Sequence, residues 1–173
     1  MSEYNHVEEL FFEADELINQ KKIIEARDVL IQILEIYPDY AKAHNHLGWI
    51  FHYKITNYTK AELHYKLALK YENTSYHAPY GNYAYFLIDK GDFDDMIDFG
   101  HNALKKSYVD KGTIYNQIGK AYELKANLDK AYHFYKKAKL NSTSSSYIEE
   151  INASLHRLKD KMSLFKKLKY IFQ

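Results

Sequence analysis

The sequence predicts an all-α fold of the α-solenoid type, a stack of helical hairpins. Three observations carry that prediction. The phrase NYTKA at Asn57–Ala61 returns as NLDKA at Asn127–Ala131, followed by the similar tails ELHYKLALK and YHFYKKAKL. Halving that distance exposes a 35-residue period, kept without a slip by Ala26, Ala61, Met96 and Ala131 and again by Ile33, Ala68, Ala103 and Ala138. Self-similarity at such a period marks a repeat architecture. Finally, the 173 residues include only two prolines and six glycines, which favours helices joined by short turns over a loop-rich sheet protein.

Each unit reads as two helices. After a short extension over 1–6, the first unit (7–40) places Ala14 and Leu17 on one helix and Ala26 and Ile33 on the next. The polar NQKK separates the two helices, and Pro38 stops the second. The second unit (41–75) sets Leu47, Gly48 and Phe51 before the break KITN, then Ala61, Tyr65 and Ala68. One extra residue lies between Gly48 and Ala61 and is offset before the next unit. The third unit (76–110) has Ala84 and Leu87, and Gly91 in DKGD stands where a helix C′ residue belongs. The fourth (111–143) has Ile118, Gly119 and Tyr122, the break LKAN, then Ala131, Tyr135 and Ala138. Small residues on facing helices allow close backbone approach, with a large residue one turn on filling the space between hairpins. After the polar NSTSSS, Ser146 and Glu149 form a capping-box pattern that predicts a helix from about Tyr147. Its stripe Leu155, Leu158, Met162 and Phe165 suits a helix, with a basic amphipathic end, that caps the last repeat over 144–173.

These residues resemble the tetratricopeptide repeat over roughly positions 7–143. The family pattern of Leu-Gly, a large residue, Ala, an aromatic and a second Ala matches Leu47, Gly48, Phe51, Ala61, Tyr65 and Ala68. It matches again at Ile118, Gly119, Tyr122, Ala131, Tyr135 and Ala138. The third unit departs most, with Met96 for the Ala and Gly100 for the aromatic. The resemblance implies a right-handed superhelix and a protein-binding scaffold. A 35-residue period also fits the pentatricopeptide family, which reads RNA, but the Leu-Gly placement and a formal net charge of +1 argue against nucleic acid.

No catalytic constellation, metal-ligand spacing or cofactor motif is found, so the expectation is a non-enzyme without cofactors or metals. No two of the nine histidines are three or four residues apart, and His44 and His46 point to different sides of a helix. The stretch GTIYNQIGKA (Gly112–Ala121) has the wrong glycine spacing for a phosphate loop and lacks its hydroxyl. Adjacent acidic pairs such as Asp94–Asp95 diverge on a helix. With no cysteine, no apolar signal region and no run of about eighteen apolar residues, a soluble cytoplasmic protein without a membrane span is expected.

The resemblance also implies a concave groove lined by the first helix of each unit. The matching positions give Glu8, Phe11, Asp15 and Ile18, then Lys42, Asn45, Trp49 and His52 flanked by His46 and Tyr53. They continue with Ala78, Gly81, Tyr85 and Ile88 beside Asn82, and with Thr113, Asn116, Lys120 and Glu123 beside Gln117. Phe11, Trp49, Tyr53 and Tyr85 are the candidate anchors for an unidentified peptide or protein, and Asn45, Asn82, Asn116 and Gln117 could fix its backbone. Asp15, His46, His52 and Lys120 complete the candidate groove. Of the positions that clamp a chaperone's terminal carboxylate in some relatives, only Asn82 fits, which disfavours that ligand.

Charge is uneven. Residues 1–16 hold six acids and no Lys or Arg, and 157–173 hold six bases against Asp160 alone. Two alternatives to groove binding follow: a structural subunit that self-associates head to tail in a salt-sensitive way or uses its convex face, and contact of 157–173 with anionic lipid or a partner helix.

Overall fold

The computed structural model of the protein describes residues 3–73 and 76–171, with the side chains of 5–73 and 76–162. Among them the regular structure is helical throughout. The hairpins are α1 (Glu3–Asn19) with α2 (Ile23–Ile36), and α3 (Ala41–Trp49) with α4 (Tyr58–Tyr71). Then come α5 (Ala78–Lys90) and α6 (Phe93–Ala103), the hairpin of α7 (Lys111–Leu124) with α8 (Leu128–Asn141), and a long α9 (Ser145–Ile171). The chain divides into two compact units, Met1–Phe86 and Leu87–Gln173, with the boundary inside α5.

The repeat is kept in step by its turns. Lys21 (φ 63°), Thr56 (φ 59°), Gly91 (φ 89°) and Ala126 (φ 59°) close the four first helices in the left-handed region, one period apart. At three of them the same paired hydrogen bonds form. The amide of the left-handed residue donates three residues back, to Ile18, Ile88 and Glu123, and the next amide donates five back, to Leu17, Leu87 and Tyr122. This satisfies carbonyls that a helix end leaves open. In the second hairpin the amide of Asn57 reaches six residues back, to Phe51. The surplus residue is absorbed by a π-helical turn over Ile50–Lys54, where the Ile55 amide donates to the Ile50 carbonyl. The opening asparagines of NYTKA and NLDKA are helix N-caps: Asn57 accepts from the Lys60 amide and Asn127 from the Lys130 amide.

In the first unit Ala26, Leu30, Ile33, Ala43, Leu47, Ile50, Ala61, Tyr65 and Ala68 are fully buried. Gly48 faces an aromatic ring of the next helix, not the expected alanine. A Cβ there would stand 2.6 Å from Tyr65, and one at Gly119 in the second unit would stand 2.9 Å from Tyr135. The glycine therefore makes room for the tyrosine ring that fills its own hairpin. Where the third repeat has Gly100 in place of that ring, Ile118 of α7 and Met96 fill the space.

Helix α9 covers α8. Ile151 and Leu158 are fully buried with Ala131, Tyr135 and Ala138, and Leu155 packs beside them. Ser144, not Ser146, caps it: the Ser144 hydroxyl accepts from the Tyr147 amide, two residues earlier than the capping-box pattern predicts. The side chain of Phe165, the end of the expected stripe, lies outside the described residues, as do those of Lys166, Lys167 and Lys169.

Candidate functional site

The first helices of the opening hairpins present the groove stripe. Within the first unit, Asp15, Ile18 and Asn19 of α1, Asn45, His46 and Trp49 of α3, and Ala78 and Asn82 of α5 surround an open cleft of about 570 Å³, completed by Tyr76. Helical spacing sets this up: positions 15, 18 and 19 share a face of α1, and 45, 46 and 49 share a face of α3.

A hydrogen-bonded chain organises the cleft. Asn82 Nδ2 donates to Asn45 Oδ1 at 3.0 Å, and Asn45 Nδ2 donates to the Tyr76 hydroxyl at 2.9 Å. Asn45 is 3% exposed, so this chain fixes its amide where a buried polar group would otherwise be costly. Burial raises the Tyr76 pKa above its ordinary value against the donated Asn45 hydrogen bond, and the nearby Asp15 carboxylate raises it further. The phenol therefore stays protonated, accepts from Asn45 and keeps its own O–H to donate. On the opposite wall His46 Nε2 lies 3.1 Å from Asp15 Oδ1, and its Nδ1 lies 3.0 Å from the Lys42 carbonyl. Phe11 packs edge-on against His46, with ring centroids 4.9 Å apart, and against Tyr40. The Lys54 ammonium stands 4.8 Å from the Trp49 ring centre.

The structure thus gathers Asp15, Asn45, His46, Trp49 and Asn82 at one cleft, with Phe11 behind His46. Other groove expectations fare differently. His52 is buried at 4% exposure, its ring edge-on to Phe86 at 5.2 Å and to Tyr58 at 5.6 Å, so it belongs to the core and not to the groove. The π-helical turn places it inward and leaves Tyr53 exposed beside it. Tyr85 is half-buried in the first unit but does not line the cleft. Asn116 and Gln117 lie in the second unit and are buried, with their side-chain oxygens unpaired among the described residues, and Lys120 is exposed. Asn19 and Tyr76 were not foreseen. Tyr76 sits in the connector before α5, outside the helical stripe, and carries no positional signal.

Two charged arrangements act inside the protein. Glu123, a groove position by helical register, is 7% exposed and accepts from Arg157 Nε and Nη2 (3.0 and 2.9 Å), Lys161 Nζ (2.7 Å) and the Tyr135 hydroxyl (2.9 Å). Burial pushes its pKa up, but these donors outweigh it and hold the carboxyl at about 2. Two of the six bases of 157–173 are therefore engaged by Glu123 of their own chain. At the other end, Glu8 accepts from Tyr40 and Lys42. Separately, His44 of α3 is buried against α4, not solvated or groove-lining. Its Nε2–H donates to the Pro38 carbonyl at 2.9 Å, so its Nδ1 accepts from His64 Nδ1–H at 3.1 Å. Burial lowers both pKa values, that of His64 to about 4, with His44 and Lys60 adding to the effect.

Residues 112–140 match the family model of the tetratricopeptide repeat. No curated protein matches the sequence. Among solved structures, the chain is similar to that of pilF from Pseudomonas aeruginosa, determined for its functional characterization. The TM-score is 0.75 at 18% identity, and the match covers 95% of this chain and 70% of that one.

Proposed function

We propose that the chain, whose residues 112–140 match the tetratricopeptide repeat and whose fold is an α-solenoid of helical hairpins, is a protein–protein interaction scaffold that binds an extended segment of a partner protein in the cleft of its first unit, without catalysis. One observation carries this reading: the fixed Asn82–Asn45–Tyr76 chain beside Trp49 in an open cleft of about 570 Å³. Trp49 supplies apolar area at low entropic cost, and the amides and phenol offer donors and acceptors to a peptide backbone. The amides are already oriented, so binding need not order them.

The test is site-specific photocrosslinking in lysate of the source cell. A crosslinker at Ile18 in the cleft, or at Leu63 on the exposed side of α4, reports which face a captured partner touches. Adducts at Ile18 that vanish in Trp49→Ala support the cleft. Adducts at Leu63 that persist in Trp49→Ala move the function to the outer face, the alternative of a structural subunit.

A further inference from the structure

We propose that the cleft of the first unit selects a cationic side chain, lysine or arginine next to an apolar residue, from the segment it binds. The inference rests on the peptide-binding reading above and specifies what the cleft accepts. Asp15 is the single acidic residue lining it, is 42% exposed, and no lysine or arginine lines it among the described residues. His46 reaches only Oδ1 of that carboxylate, which has lone pairs for further donors. Beside Asp15, the Trp49 ring offers broad apolar surface, part of it already covered by the Lys54 ammonium at 4.8 Å from the ring centre. Ile18 and Ala78 line the same cleft with apolar surface for a neighbouring side chain.

The helix that carries Asp15 is itself acidic. Helix α1 carries Glu9, Glu13 and Glu16, all exposed, and no Lys or Arg between residues 1 and 16. Lys42 is engaged by Glu8 rather than by the cleft. A carboxylate ligand would meet the like charge of Asp15, whereas an ammonium or guanidinium pairs with that carboxylate.

The experiment is selection of a random heptapeptide display library on the folded wild type, on Asp15→Asn and on Trp49→Ala, with helicity checked by circular dichroism. The expected wild-type pool is enriched several-fold in Lys or Arg at one position beside an apolar one. Asp15→Asn should lose the basic enrichment and keep the apolar one, and Trp49→Ala should lose both. For a selected peptide, Trp49 fluorescence, the only tryptophan signal in the chain, should show roughly tenfold weaker binding when its basic residue becomes Gln. A Trp49-dependent pool that is neutral or acidic, or equally basic on Asp15→Asn, overturns cation selection and leaves the cleft reading standing. A pool indifferent to Trp49→Ala, or no enrichment at all, overturns both.

Discussion

Glu123→Gln should loosen α9 against the last hairpin. The substitution keeps the side chain's shape and removes the charge that Arg157 and Lys161 converge on. Holding the carboxyl at about 2 from an ordinary 4.5 corresponds to about 3 kcal/mol of stabilisation if the site were wholly shielded. Arg157 and Lys161 are 50% and 46% exposed, so solvent screening reduces the net effect to about 2 kcal/mol. Because the folded-state pKa is the lower one, this stability is present in full above pH 4.5 and is lost as pH falls toward 2. Urea unfolding of wild type and variant at pH 7, 4.5 and 3.5, with amide exchange of α9 followed in parallel, reads both the size and the pH window. The variant should be weaker by about 2 kcal/mol at pH 7 and the gap should narrow below pH 4.5. Equal stability at pH 7, or a gap independent of pH, refutes the account.

Two further outcomes follow from the turns and the histidine pair. Thr56→Gly should raise stability by about 1 kcal/mol, since a β-branched residue there holds a left-handed φ that glycine adopts freely; a lower melting temperature counts against this. Lowered histidine pKa values mean that the unfolded chain takes up protons first, so stability should fall by about 1 kcal/mol between pH 6.5 and 5 and level off below about 4. A His64 NMR titration midpoint above pH 6 would show that the buried contact with His44 does not act this way.

The array was legible because its period is written in side-chain size. Gly48 and Gly119 recur where an aromatic ring of the partner helix needs room, and Asn57 and Asn127 recur because each caps a helix. The breaks NQKK, KITN, DKGD and LKAN placed all four turns, but their conformation was hidden: only Gly91 advertises it, while Lys21, Thr56 and Ala126 adopt the same left-handed geometry under side chains that give no hint of it. The surplus residue of the second unit was countable, but a count cannot say whether a loop or a helix takes it up. In NSTSSS any of several serines could cap α9, and only the geometry selects Ser144. For the cleft, helical register found Asp15, Asn45, His46, Trp49 and Asn82 because they ride on regular helices. It missed Tyr76, which reaches Asn45 from a connector, and misplaced His52, whose orientation follows from the π-helical turn.

That turn has a consequence for anyone who would splice or graft these modules. Lys21, Thr56, Gly91 and Ala126 mark seams at which each interval has the same length, so exchanging segments at those residues preserves spacing everywhere downstream. A cut inside α3 would not. It would carry the extra peptide unit into the new chimaera, or leave it behind, and rotate whatever follows by roughly 100° about the helix axis. Tyr53 would then trade places with the neighbours of His52, while Asn45 and Trp49, lying upstream, would keep their bearing on the cleft.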